Sequence, residues 1–139
     1  MTGRHQIRLV LHGAVVLLAG LLSGIPTVVE ALNESSRVWH TAHEALIMMG
    51  IWMLAASSLA PILVLPDRER TAWFAAHLLM GYGFTCALIL GGIIGVSPFS
   101  PGDTPASVIA FTTATAGIFG AVAAAVFTIR GARGAAAQD

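Results

Sequence analysis

Charge is what this sequence lacks most. Charged side chains make up 10% of its 139 residues, too few to cover a water-soluble domain of that size. Lysine is absent, and all seven basic residues are arginines. Seven acidic residues balance them to a net charge of zero, which argues against the basic surface that a nucleic-acid partner needs. With Cys86 as the one cysteine, an intrachain disulfide is excluded; mid-segment, it reads as a small packing residue. What fills the chain instead is apolar. Hydrophobic residues make up 56% of it, and mean hydropathy is +0.81. The apolar stretches are continuous and rich in Leu, Ala, Gly and Ile, whereas barrel strands alternate. The expected class is therefore an all-α membrane bundle.

Four segments are each long enough to cross about 30 Å of hydrocarbon. They run approximately 8–32, 38–65, 71–96 and 105–130, within one integral membrane domain over residues 1–139. Breakers and charge mark the joints: Asn33-Glu34-Ser35-Ser36, with Ser36 as an N-cap candidate, then Pro66 to Arg70, then Ser97 to Pro105. Arg4 and Arg8 precede the first apolar run, as in a signal peptide. That run lacks a clear small-residue cleavage site and reads as a retained helix. The Gly/Ala-rich tail after Arg130 is expected to fray.

Arginine placement orients the bundle. Arg4, Arg8, Arg68, Arg70, Arg130 and Arg133 fall at the N-terminus, the second joint and the C-terminus, and Arg37 alone lies on the other side. The positive-inside rule puts both termini in the cytoplasm of a bacterial-type inner (plasma) membrane. Glycines on the third and fourth segments sit at helix-packing spacing. Four helices alone make a thin bundle, so a homo-oligomer in the lipid bilayer is expected.

Chemistry concentrates at the outer mouth of the second segment, Val38-Trp39-His40-Thr41-Ala42-His43-Glu44. Ionisable groups are costly to place there and usually have a task. His40 and His43 are three apart on one side of a helix, and Glu44 is four from His40. Glu30, Thr112, Thr113 and Thr115 are expected at a similar depth, forming a polar cluster with them. His40, His43 and Glu44 offer zinc ligands, but the spacing is not HExxH. A histidine in a large apolar surround suits haem iron better. His43, one turn deeper than His40, is the preferred ligand, with His40 as a second cofactor-binding candidate. Met48, Met49 and Met80 are thioethers available as a sixth ligand or as packing. His12 and His77, in the cytoplasmic third, read as interhelical packing or hydrogen-bonding groups.

These residues resemble styrene oxide isomerase. The shared features are His12-Gly13 in the first helix, Trp39, Ala42 and His43 opening the second, Gly50 seven residues later, Pro61 ending that segment, and Pro101-Gly102-Asp103 before the fourth. The outline is also similar to hydroxylaminobenzene mutase, through Arg8, His12 and Gly13. The resemblance implies a homotrimer with a haem b between subunits, held through the histidine matched by His43, whose ferric iron acts as a Lewis acid. The family's polar pocket residues, an Asn, an Asp and a Tyr, fall on Met49, Met80 and Leu88, and Tyr82 is a possible substitute for a lost polar group. The expected function is a haem b-dependent isomerase of a small apolar aromatic epoxide or hydroxylamine. The alternatives are a b-type cytochrome for electron transfer or sensing, and a membrane subunit without catalysis.

Overall fold

The computed structural model describes residues 2–29 and 35–137. Glu30, Asn33 and Glu34 lie outside these residues, as does the side chain of Ser36. The described chain is four helices: α1 (Thr2–Val29), α2 (Ser35–Leu59), α3 (Asp67–Ile94) and α4 (Pro105–Ala136). All four are long and apolar enough to cross a membrane.

Helix ends follow local chemistry. α2 stops at Leu59, six residues before the expected boundary. Pro61 has no N–H to continue the ladder and disfavours helical backbone at the residue before it. The chain turns there instead and tucks Leu63 and Leu65 into the core. α3 begins at Asp67 rather than Thr71, with Asp67 and Glu69 in its first turn, where the helix dipole favours negative charge. It ends where Gly95 adopts φ 70°, a left-handed conformation suited to glycine. α4 opens on a capping box between Thr104 and Ser107, with Pro105 in the first turn. α4 also runs on to Ala136 and does not fray after Arg130. Tertiary contact holds this tail: Val64 N–H donates to the Gly131 carbonyl at 3.1 Å, and a Cβ at Gly131 would lie 3.0 Å from Leu63 Cβ.

The helices associate as two hairpins, α1 with α2 and α3 with α4. α1 and α2 both reach α3, whereas α4 packs closely on α3 alone among the described helices. Glycine permits the nearest approaches. A Cβ at Gly50 would come 2.6 Å from Leu17 Cβ, and one at Gly83 would come 2.8 Å from the Gly117 nitrogen. In lipid there is no hydrophobic drive between helices, so such backbone contact supplies the dispersion that holds them. The core runs through Leu9, Val16, Leu46, Met53, Trp73 and Leu88, each at most 1% exposed. At the arginine-rich end, Arg130 pairs with Glu69 at 2.8 Å, which brings the end of α4 level with the start of α3. The outward faces stay apolar, as bilayer contact requires: Leu18, Leu21, Leu22 and Ile25 on α1, and Ile118, Phe119, Val122 and Val126 on α4.

Candidate functional site

The stretch Gly20-Leu21-Leu22-Ser23-Gly24 on α1 places three small residues on one face, at i, i+3 and i+4. His43 of α2 packs onto that face. Its Nδ1 donates to the Gly20 carbonyl across 2.8 Å. A carbonyl only accepts, so Nδ1 carries the proton and Nε2 keeps the lone pair of the neutral ring. Among the described residues Nε2 has no hydrogen-bond partner, and the residue is part-buried. Gly24 makes room for the ring, because a Cβ there would lie 2.8 Å from Nδ1 and 2.9 Å from Cε1. The Ser23 hydroxyl, buried, donates to the same Gly20 carbonyl at 2.7 Å. The result is an imidazole of set tautomer and orientation with one basic nitrogen left over. That is the state in which histidine serves as a metal ligand.

The other expected participants stand apart. His40 and Glu44 are both exposed and do not bond to each other. No group of three His, Cys, Asp or Glu able to hold a metal comes together among the described residues, so the zinc set of His40, His43 and Glu44 is not assembled. The threonines of α4 do not join the histidines either. Thr112 donates to Val108 O, Thr113 to Ile109 O and Thr115 to Phe111 O, all within their own helix. The expected polar cluster fails because α4 lies against α3 and not against α1 or α2; Glu30, its remaining member, is outside the described residues.

Met49 is partly buried and packs on the core. Six residues separate it from His43, which turns it about 120° around the helix. It therefore does not face the ring's open nitrogen from the same chain. Met48 is 67% exposed. Met80 lies in the core, where its backbone nitrogen meets Gly120 of α4. Leu88 is fully buried and forms a wall of a cavity of about 240 Å³ at the end opposite the arginine-rich one, with Arg37, Val38, Thr41, Ser97, Pro98 and Phe99. Tyr82 bonds through its hydroxyl to His12 Nδ1 at 2.7 Å, in the seam of α1 and α3. The family-matched positions thus occupy separate settings in one chain. His77 is fully buried, and its Nδ1 donates to Trp73 O of its own helix at 2.8 Å. Trp73 lies against that ring edge-on at 4.6 Å and donates its own N–H to Thr128.

The model of the styrene oxide isomerase family matches residues 5–133 of this chain. The chain belongs to the styrene oxide isomerase family. A search of curated proteins and of solved structures finds no match. The family match includes His12, His43 and all four helices, and it points to an isomerase-type membrane protein. Within this styrene oxide isomerase family member, the residues missed from sequence are Gly20, Ser23 and Gly24. Their signal was available in the small-residue spacing of the first helix, which matches the spacing read on the third and fourth.

Proposed function

We propose that this protein is a haem b-dependent isomerase that rearranges a small aromatic epoxide or arylhydroxylamine drawn from the bilayer. The observation that supports it is the His43 ring, fixed by its Nδ1–H on the Gly20 carbonyl and with no partner for Nε2 among the described residues. A histidine that would hold haem iron needs one nitrogen anchored and the other available to the metal. Haem b, held there, would supply ferric iron as a Lewis acid.

The chain's own residues do the rest. Gly24 leaves the ring its space, and the apolar flanks of α1 and α2 exclude water from the reacting bond. Met49, Met80 and Leu88, the positions matched to the family's polar pocket residues, offer no hydrogen bond that could orient an epoxide, so styrene oxide itself is expected to be a poor substrate. Isomerisation moves atoms within one molecule and needs no co-substrate, which fits a chain this small. His43 sits part-buried at the α1–α2 seam, and further copies of the chain would complete the enclosure of a cofactor held there. A homotrimer closes the site, with the arginine-rich ends and both termini in the cytoplasm.

An absorption spectrum and pyridine haemochrome assay of the purified protein test the cofactor. Turnover of a panel of aryl epoxides and arylhydroxylamines tests the reaction. Activity is expected in the ferric state, lost on dithionite reduction and restored on reoxidation. A low-spin, six-coordinate spectrum with no turnover of any panel member establishes the cytochrome reading instead. Colourless protein rejects both.

A further inference from the structure

The Gly20 carbonyl is shared by more donors than its geometry serves equally. The α-helical repeat directs the Gly24 N–H to it, the Ser23 hydroxyl donates to it at 2.7 Å, and His43 Nδ1–H reaches it from α2 at 2.8 Å. A carbonyl oxygen has two lone pairs. Each added donor withdraws electron density from the oxygen and weakens what the others receive. Ser23 is buried at 3% exposure, so its hydroxyl has no water to turn to and stays on this acceptor.

We propose that Ser23 is a positioning residue for His43: its hydroxyl, by sharing the Gly20 carbonyl, sets how strongly that carbonyl pulls on the His43 Nδ1 proton, and hence how electron-rich Nε2 is. The proposal rests on His43 as the iron ligand. The sign follows from the competition. With Ser23 present, the Nδ1–H bond is moderated and Nε2 is a moderate donor. With the hydroxyl removed, the carbonyl accepts more strongly from Nδ1–H, the ring gains imidazolate character, and Nε2 favours the ferric over the ferrous iron. Ser23 thereby keeps the metal more electron-poor and a better acceptor for a neutral oxygen. Gly24 has the complementary part: it keeps the ring in register, since any Cβ there meets Nδ1 at 2.8 Å.

α2 contains an internal control. Ser57 is also buried, at 5% exposure, and makes the same kind of bond to its own helix, to Leu54 O at 2.6 Å. No imidazole shares that carbonyl among the described residues. A serine acting only as helix packing behaves alike at both positions.

The experiment compares wild type, Ser23→Ala, Ser23→Thr, Ser57→Ala and Gly24→Ala in nanodiscs. The readouts are the Fe(III)/Fe(II) midpoint, the iron–histidine stretch by resonance Raman, and the 15N shift of His43 Nδ1 in haem-depleted protein. Ser23→Ala is expected to move the midpoint negative, enriching ferric iron several-fold at a fixed potential, and to raise the iron–histidine stretch. Ser23→Thr restores both, and Ser57→Ala changes neither. Gly24→Ala weakens haem retention by about 10–100-fold, the range for groups that orient a metal-bound histidine. Identical midpoints, stretches and Nδ1 shifts in wild type and Ser23→Ala overturn the proposal while leaving the haem reading intact. If wild type takes up no haem, that reading fails, and the Nδ1 shift alone decides: a change in Ser23→Ala and none in Ser57→Ala supports the positioning role, and no change in either overturns it.

Discussion

His43 and His77 make the same first bond and end in opposite states. Each donates Nδ1–H to a backbone carbonyl at 2.8 Å. For His77 that carbonyl belongs to Trp73, one turn back on its own helix. The bond is local, the ring is fully buried, and Nε2 is enclosed without a partner among the described residues. For His43 the carbonyl belongs to α1, 23 residues away in sequence. The bond ties two helices together, and the ring is part-buried, its second nitrogen without a partner among the described residues. The contrast shows that the same anchoring bond serves two ends: within one helix it fixes a ring in the core, and between two helices it fixes a ring in their seam.

The sharpest way to break the comparison is to remove each ring. His43→Ala is expected to abolish haem retention, measured by pyridine haemochrome. Haem content equal to wild type ends the assignment of His43 as the ligand. His77→Ala should leave haem content unchanged. It should lower stability by about 2 kcal/mol or more, the scale of a large-to-small change in a packed core, read from unfolding in detergent. Loss of haem with no loss of stability would reverse the roles given to the two rings.

A smaller effect is expected from Tyr82→Phe. It removes one interhelical hydrogen bond, to His12, and such bonds in membranes average about 0.6 kcal/mol. A slightly lower unfolding midpoint and unaltered haem spectra are the expected result. A changed spectrum would bring the α1–α3 seam into the site. His40→Ala is expected to have the smallest effect, because His40 is exposed. A drop in haem content comparable to that of His43→Ala would show that the more exposed histidine shares the iron.

Much of this was readable before any coordinates. Continuous apolar runs separated by proline and charge specify four spanning helices, because hydropathy and length are local properties. Two imidazoles at the mouth of α2, with Trp39 and Ala42 beside them, make His43 a candidate from sequence. Three things were not readable. The second segment extends to Leu65 by its apolar run, yet α2 stops at Leu59, and the chain past Pro61 turns Leu63 and Leu65 into the core. The glycine-rich tail looked free to fray, yet Gly131 is held by Val64. The α4 threonines were placed near the histidines by depth alone, and depth does not say which helices are neighbours.

The sequence by itself determined the class of molecule and the number of helices, since both depend on composition and spacing within one segment. Only the tertiary structure decided which nitrogen of His43 is tied to α1, that Gly20, Ser23 and Gly24 form its seat, and that α4 packs on α3 instead. The physical reason lies in the solvent. A helix in water marks its buried face by an apolar stripe, but a membrane helix is apolar all round. Its partners are chosen by shape, through small residues and single hydrogen bonds, and those pairings are visible only when the helices are together.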